Sequence, residues 1–378
     1  MYAQKKKIFV IFHGRFPSEK AHALFTAKTC EAFMLEGHDV ELLVPNRKHT
    51  KEEAKEYYKL TFEIPVRYLP TFDFIAIPFI RYIAFYISVI VFSFSVRRFL
   101  TKNGSGNELV YLNDPLLLLS VPKKYQTCCE LHDFPGRRLW WFKKLYEKST
   151  HLLVTNKWKT DKFISLFPSF KSKIFTEMNA ADVALFDIAT PKIEARAQLQ
   201  LPPDKKIVLY VGHLYGWKGS STLAQAASML GNEYLVYFVG GTEEDVVRFQ
   251  KEYSHQKNIV VIGHRPYHEL PFWQKAADVL VVPNTAKEDI SKYFTSPMKL
   301  FGYFASSRPI VASDIPSIRE IAGDNTVYYA QPDDPRSFAD AITHAIQENN
   351  QNHIDNGMRI AEMHTWEERA KRILAHVM

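Results

Sequence analysis

The sequence contains little cysteine and shows no sign of a leader segment. Only three of its 378 residues are cysteines, Cys30, Cys128 and Cys129. An odd number that includes an adjacent pair is not a disulfide framework or a zinc site, and it suits a reducing compartment. Lys5–Lys7 precede only the short apolar run Ile8–Phe12, without a small-residue cleavage site. We therefore expect a cytoplasmic protein.

The sequence also lacks an uninterrupted uncharged run as long as a spanning helix needs, so we expect no spanning helix. The uncharged run Tyr82–Val96 is shorter than the roughly 20 residues that a spanning helix needs. Residues 72–100 are rich in aromatic and branched side chains, and they predict either a buried helix or a helix lying on a membrane surface, two interpretations that are compatible. The basic side chains that would meet lipid headgroups are Arg81, Arg97, Arg98 and Lys102.

Charge is unevenly distributed along the chain. The formal net charge is +7, with the basic excess in residues 1–178 and a small acidic excess in residues 179–378. A basic half suggests an anionic partner, for which nucleic acid and anionic lipid are both candidates. Because the basic residues are scattered and no binding motif appears, we expect no nucleic acid.

The hydrophobic pattern is that of an α/β protein. A strand over Ile8–Phe12 is followed by a turn with Gly14, a helix that starts near Ser18 and ends at Gly37, and a strand over Val40–Val44. This succession opens a doubly wound sheet. Further predicted strands are Leu109–Leu112, Leu152–Val154, Lys206–Gly212, Leu235–Val239, Ile259–Ile262, Val279–Val282 and Ile310–Ala312.

The chain is long enough for two domains. The pattern of strand, glycine-containing turn and helix restarts at Lys206–Gly212, with a helix over about Ser221–Leu230, after a proline-interrupted stretch near residues 179–205. Two Rossmann-like halves are therefore predicted, with ligands at the carboxyl ends of their strands.

The turn after the strand Lys206–Gly212 has features of a phosphate site. Gly212, Gly216 and Gly219 permit close backbone approach, and Lys218 supplies a fixed positive charge. The Gly-Lys-Ser/Thr of a P-loop is absent. Taken alone, the stretch is more typical of an ordinary turn with a surface lysine.

A second stretch, Phe294–Leu300, predicts the start of a helix. Ser296 is suited to be its N-cap and Pro297 its first residue. The exposed N–H groups at Met298 and Lys299 would then bind an anion with help from the helix dipole. A capped helix without any ligand is the alternative.

The order of these segments resembles glycosyltransferase family 4 (group 1). The turn with Lys218 is followed by Phe294–Leu300 and then by Arg308–Pro316, where a strand ends in a polar loop. Further segments similar to the family are Gly14–His22, His132–Asp133, Asn179–Asp182, Ala276–Pro283 and Trp366–Arg369.

The resemblance implies the GT-B fold. Two Rossmann-like α/β domains would face each other across a cleft, and the C-terminal helix would return to the first domain. Residues 1–178 with 366–378 would form the N-terminal acceptor domain, and residues 179–365 the domain for the nucleotide sugar.

The resemblance also implies roles for individual residues. Lys218 would bind the donor diphosphate, and His213 stands where the family usually has arginine. His132 would touch the donor sugar or the reacting centre, although it could instead be a structural histidine. Arg265 is either at the nucleobase edge or a solvated loop residue. The predicted catalytic residues are His132 and Lys218, and the predicted donor-binding residues are Gly14, Gly212, His213, Lys218, Arg265, Thr295, Ser296, Met298, Lys299 and Leu300.

The sequence departs from the family at two acidic positions. The glutamate that contacts the ribose should fall at Gly302, and an earlier glutamate should fall near Phe294. Ribose binding would therefore need other groups or be weaker.

The resemblance implies a retaining glycosyltransferase that uses a UDP- or GDP-linked sugar and needs no metal or other cofactor. The acceptor would be a lipid-linked molecule or a cell-surface glycan precursor, and the protein would lie in the cytoplasm or on the inner face of the cell membrane. A nucleotide-sugar epimerase and a non-catalytic protein of the same fold are the alternatives.

Overall fold

The chain is described by a computed structural model that covers residues 5–47, 52–72, 81–134 and 139–378. It divides into two compact units, Met1–Glu177 with Trp366–Met378, and Met178–Thr365. This division falls one residue before the boundary predicted after residue 178. Each unit is built on its own parallel sheet.

The first unit contains a sheet of seven parallel strands in the order β3-β2-β1-β4-β5-β6-β7. The strands are β1 Lys7–Ile11, β2 Asp39–Pro45, β3 Val66–Leu69, β4 Leu109–Leu112, β5 Gln126–Leu131, β6 His151–Val154 and β7 Ile174–Thr176. The α-helices are α1 Ala21–Leu35, α2 Ala54–Tyr58, α3 Arg81–Asn103, α4 Leu139–Tyr146, α5 Lys157–Leu166 and α15 Trp366–Val377. Short 3-10 turns span Pro115–Leu119 and Pro168–Phe170.

The central strands of this sheet are apolar on both faces. Ile8, Phe9, Val10 and Ile11 of β1 are all almost fully buried. A parallel strand covered by helices on both sides requires such a continuous apolar run. This is why the sequence pattern located β1 within one residue at either end.

The last helix, α15, is held to the first unit by charged groups. Glu130 on β5 is completely buried, accepts a hydrogen bond from Tyr111, and lies 2.6 Å from Arg369 Nη2. Burial raises the pKa of Glu130, and the charge of Arg369 opposes this rise. Arg372 adds a paired contact to Glu177, with an Nη2 to Oε1 distance of 2.7 Å. Breaking the buried pair would leave a carboxylate without its counter-charge, which is strongly destabilising.

The second unit contains a sheet of six parallel strands in the order β10-β9-β8-β11-β12-β13. The strands are β8 Lys206–Val211, β9 Tyr234–Val239, β10 Ile259–Gly263, β11 Val279–Val282, β12 Ile310–Ser313 and β13 Tyr328–Ala330. The α-helices are α6 Val183–Phe186, α7 Lys192–Gln198, α8 Ser220–Ala227, α9 Glu243–Tyr253, α10 Leu270–Ala276, α11 Met298–Ala305, α12 Pro316–Arg319, α13 Pro335–Gln347 and α14 Gln351–Met363. Two 3-10 turns, Gly216–Lys218 and Tyr267–Glu269, and a π-helical turn, Ile290–Phe294, complete the unit.

The nine strands predicted from the sequence are confirmed within one residue at each end. Four strands were missed: β3, β5, β7 and β13. Three of them have only three or four residues, and β5 carries a buried glutamate that breaks its apolar pattern. The predicted helices are confirmed, but they are shorter: the first starts at Ala21, and the second covers Ser220–Ala227.

Candidate active site

The predicted site residues fall in both units. Gly14 and His132 belong to the first unit, and the others belong to the second. Within the second unit, the carboxyl end of β8 and the first residues of α11 bring several of them together.

Glycines shape the end of β8. Gly212 has a φ of +140°, and its N–H donates to the Val239 carbonyl over 2.9 Å. A Cβ on Gly240, at the end of the neighbouring strand, would lie 2.6 Å from the Gly212 oxygen. The two strand ends therefore approach too closely for a side chain at Gly240.

The turn Gly216–Lys218 is docked on the end of β11. Gly219 has a φ of +71°, and a Cβ there would lie 1.6 Å from the Pro283 oxygen. The Thr285 N–H also donates to the Trp217 carbonyl over 3.2 Å. These contacts fix the turn that carries Lys218, and only glycine fits at position 219.

Lys218 lies among aromatic rings. Its Nζ is 5.1 Å from the centroid of the Trp217 ring and 5.7 Å from that of Tyr215. Burial lowers the pKa of Lys218 to about 8. An ammonium group in such surroundings is stabilised when an anion approaches.

Lys299 brings a second ammonium group to the same place. Its Nζ is buried, lies 3.8 Å from the centroid of the Tyr210 ring, and makes no hydrogen bond within the part of the chain that the structure describes. A Cβ on Gly212 would be 3.3 Å from this nitrogen. Burial lowers the pKa of Lys299 well below its usual value, and the positive charge of Lys218 lowers it further. Two like charges are thus held close together at the end of β8.

His213 borders these two lysines. Its ring stacks on Tyr215 with a centroid distance of 4.9 Å and an interplanar angle of 2°. Its carbonyl accepts a hydrogen bond of 2.6 Å from the Tyr210 hydroxyl. Tyr210 therefore holds the backbone after β8 and faces Lys299 with its ring, a role that the sequence analysis missed.

The start of α11 differs from the prediction. The helix begins at Met298, its N-cap is Pro297, and no side chain caps it. The prediction of Ser296 as N-cap and Pro297 as first helical residue was therefore wrong. Ser296 is instead held by Asn179, whose Nδ2 donates to the Ser296 carbonyl over 2.5 Å. This contact fixes the turn before the helix from a segment 117 residues away.

The remaining predicted residues of the second unit have different surroundings. Leu300 is fully buried, and its N–H donates to the Pro297 carbonyl over 3.0 Å. Thr295 ends the π-helical turn. Arg265 is exposed on the loop after β10, with its Nε 4.0 Å from Glu269 Oε2.

Gly302 lies on a face of α11 that packs against an aromatic ring. A Cβ on this glycine would be 3.4 Å from the Phe186 ring, and that ring makes an edge contact with Tyr267 at 5.4 Å. Aromatic groups therefore stand beside the position where the family has a ribose-binding glutamate.

In the first unit, Gly14 follows β1 beside a buried polar cluster. Arg47 donates to the His13 carbonyl over 3.0 Å and to Ser88 Oγ over 2.5 Å. Burial, assisted by the Arg47 charge, lowers the pKa of His13 to about 3. His13 is thus a neutral residue that fixes the chain entering the Gly14 turn.

His132 follows β5 and packs closely against neighbouring rings. Its ring centroid is 4.7 Å from Phe25 and 5.0 Å from His22. Its Nε2 is 3.8 Å from Glu130 Oε1, and its carbonyl accepts a 2.8 Å hydrogen bond from Lys159 Nζ. Burial lowers the pKa of His132 well below its usual value, with smaller contributions from nearby cations. The ring is therefore neutral at pH 7.

No group of three or more histidine, cysteine, aspartate or glutamate side chains that could hold a metal ion is found in residues 5–47, 52–72, 81–134 and 139–378. Metal independence stays a prediction. The three cysteines are buried and free.

Comparison with solved structures defines the fold class. The chain is similar to sucrose-phosphate synthase from Thermosynechococcus elongatus, with a TM-score of 0.78, 18% identity and 98% of both chains covered. It is also similar to Anabaena Alr3699/HepE solved in complex with UDP-glucose, with a TM-score of 0.75, 15% identity, and coverage of 98% of this chain and 99% of that one. With its two parallel α/β units, the chain has the GT-B fold.

Sequence comparison then gives the family. Residues 191–359 match the family described as glycosyl transferases group 1. A putative teichuronic acid biosynthesis glycosyltransferase, TuaC of Bacillus subtilis strain 168, is 27% identical over 152 residues, which is 40% of this chain and 36% of that protein. The matches to curated relatives span between 36% and 51% of those proteins. Residues 191–359 are thus similar to the group 1 glycosyltransferases, the family that the sequence motifs resemble.

Proposed function

We propose that this protein transfers a sugar from a nucleotide diphosphate sugar to an acceptor hydroxyl, and that the donor diphosphate binds at the end of β8. The observation that carries the proposal is the pair of buried ammonium groups of Lys218 and Lys299. Burying two like charges side by side is unfavourable unless an anion shares the site. A diphosphate supplies that anion and would raise the pKa of both lysines.

The same two charges would assist bond cleavage. Breaking the bond between the anomeric carbon and the phosphate oxygen leaves its electron pair on the diphosphate. Lys218, Lys299 and the N-terminus of α11 would stabilise this growing negative charge. The acceptor hydroxyl would attack the anomeric carbon and give its proton to the departing phosphate oxygen. Transfer on one face in this way retains the anomeric configuration.

Two positions at which this sequence differs from the family would affect how the donor is bound. His213 stands where the family has arginine, so Lys299 would supply the second positive charge. The ribose would be held without a carboxylate at Gly302, because the buried ring of Phe186 packs against that position. We propose a UDP-linked donor as the first candidate, since UDP-glucose is bound in one protein of this fold; GDP-linked sugars remain the second candidate.

The acceptor would be a lipid-linked molecule or a cell-surface glycan precursor, made in the cytoplasm. The Bacillus relative is named for teichuronic acid biosynthesis, which supports an acceptor of this kind. No metal would be required, because lysines and helix amides replace its charge.

Ligand-dependent thermal unfolding tests the proposal. Stabilisation depends on ligand concentration over affinity. The wild type should be stabilised by UDP or GDP in the presence of EDTA, and Lys299→Met should lose most of this shift while unfolding at an equal or higher temperature without ligand. Lys251→Met, at an exposed position on α9, serves as the control. Equal stabilisation of Lys299→Met and wild type would contradict the proposal.

The missing glutamate at Gly302 favours one alternative, a non-catalytic protein of the same fold. A protein that binds no nucleotide diphosphate sugar at all would support that alternative. Binding followed by conversion of the donor to its epimer, with no acceptor present, would support an epimerase.

A further inference from the structure

Helix α3 presents two different faces. Phe92, Val96 and Leu100 are completely buried and belong to the core of the first sheet. On the opposite side, Ile83, Ile90 and Phe94 are exposed by 65%, 55% and 70%. A soluble helix normally exposes polar residues on its outer side, so the outer face of α3 is unusual.

The exposed residues form a continuous stripe. Ile83, Ile87, Ile90 and Phe94 are spaced three or four residues apart and share one side of the helix. The same side of the helix continues to Arg97 and Arg98, which are both exposed. These two arginines line one surface depression together with Phe94, Thr101 and Lys102. An apolar strip therefore runs directly into a basic end.

The charges of the helix have one sign. Its sequence contains no aspartate or glutamate, whereas arginines and a lysine stand near its C-terminal end. Anionic headgroups above an apolar acyl region offer the complementary arrangement, in which basic side chains meet phosphates and apolar side chains enter the interface. A second protein copy would bring an equally basic stripe, which would be repelled.

We propose that the outer face of α3, from Ile83 to Lys102, docks this protein on an anionic lipid surface with the helix lying in the plane of the membrane. The proposal goes beyond the proposed transfer reaction and does not depend on it. Arg81, predicted to contact headgroups, has a side chain outside the described part of the structure, and residues 73–80 of the predicted segment also lie outside the described residues.

A spanning helix is excluded by the packing of the other face. By length and composition, Ile83–Asn103 could cross a bilayer, with a mean hydropathy of 1.7. However, its inner side packs on the sheet, and Ser88 accepts a hydrogen bond from buried Arg47. If α3 left the core to enter lipid, the sheet would be exposed and the hydrogen bond between Arg47 and Ser88 would be broken.

Co-sedimentation with vesicles tests the docking face. The full chain should bind vesicles containing phosphatidylglycerol at low salt, bind vesicles of phosphatidylcholine at least tenfold more weakly, and lose affinity as salt increases. Ile90→Asp should reduce binding about tenfold, and the pair Arg97→Glu and Arg98→Glu should reduce it at least as much. Circular dichroism would show that each variant keeps the wild-type fold.

Matched controls come from the second unit. Ile193 on α7 is 60% exposed, so Ile193→Asp repeats the apolar change at an equally exposed position. Lys251→Glu with Lys257→Glu repeats the charge change. These controls should bind vesicles like the wild type.

Three results would overturn the proposal. The wild type could stay in the supernatant with anionic vesicles, or the control variants could lose binding as much as the α3 variants. Alternatively, analytical ultracentrifugation could show a dimer that Ile90→Asp dissociates, which would assign the stripe to a second copy. None of these measurements uses sugar transfer, so failure here leaves the proposed reaction separately testable.

Discussion

The ends of β5 and β8 both carry a titratable side chain whose pKa is lowered by burial, but the two side chains have different surroundings. His132 is packed against Phe25 and His22, and burial lowers its pKa so that its neutral imidazole is favoured. Lys218 and Lys299 are two neighbouring amino groups whose pKa values are both lowered by burial, and the positive charge of Lys218 lowers that of Lys299 further. The difference shows that a perturbed pKa alone does not identify a ligand site. A charge that the fold leaves without an opposite charge is the stronger indication.

The largest expected effect comes from removing one of these cations. Lys218→Met should lower kcat/KM for sugar transfer roughly 100- to 1000-fold, as expected for the loss of one group that stabilises developing charge. Thermal unfolding without ligand should occur at the same or a higher temperature, because like-charge repulsion on Lys299 is relieved. Steady-state kinetics and calorimetry would measure the two effects.

The control for Lys218→Met is Lys251→Met, which should leave both quantities unchanged. If Lys218→Met lowered the unfolding temperature and kept full activity, Lys218 would be a structural residue and the contrast with His132 would disappear.

The next change tests the end of β5. His132→Ala should reduce transfer on the order of 100-fold, a typical contribution of a positioned histidine, with the protein still folded. His376→Ala is a suitable control, because its ring stacks on Phe175 at 4.4 Å elsewhere in the same unit. Near-full activity of His132→Ala, measured alongside unfolding temperature, would make His132 a packing residue only.

The sequence singled out Lys218, at the end of β8, because it lies in a local pattern. Lys218 stands in a glycine-containing turn after an apolar strand, and this neighbourhood can be recognised from adjacent residues. The role of the Lys299 side chain could not be predicted in the same way. Only its backbone N–H was singled out, since the contact of its ammonium group with Tyr210 depends on how α11 packs against β8.

Other contacts could not be predicted either, because they join residues that are far apart in the sequence. Asn179 reaches Ser296 across 117 residues, and Glu130 on the missed strand β5 is balanced by Arg369, 239 residues away. A buried glutamate within QTCCEL has no local counter-charge, so the segment does not look like a core strand. Ser296 failed as an N-cap because its backbone is held by Asn179 before the helix begins.

A smaller effect concerns pH. Since the pKa of Lys218 is lowered to about 8, raising the pH above 8 removes its positive charge, and the affinity for UDP should fall by up to tenfold per pH unit. The stability of the ligand-free protein should change in the opposite direction. Between about pH 8 and the normal lysine pKa, the unfolded state binds more protons than the folded state, so the free energy of unfolding increases with pH.

Isothermal titration with UDP from pH 7 to 9.5, together with urea unfolding without ligand, would measure both trends. Lys218→Met should flatten them. The same pH dependence in wild type and variant would assign the titration to another group, and the second site would then resemble the neutral histidine at β5.

The smallest expected effect tests the aromatic wall beside α11. Gly302→Ala should increase the free energy of unfolding by up to about 1 kcal/mol, because alanine favours a helix over glycine and its Cβ would meet Phe186 at an ordinary contact distance of 3.4 Å. Gly357→Ala on α14 is the matched variant: its Cβ would lie 3.0 Å from the Phe304 ring, so crowding should offset the helix gain. Urea unfolding compares the two variants, and UDP affinity should stay within about twofold for both. If Gly302→Ala weakened UDP binding strongly while stabilising the fold, this glycine would itself approach the donor, and the second site would extend from the two lysines to the middle of α11.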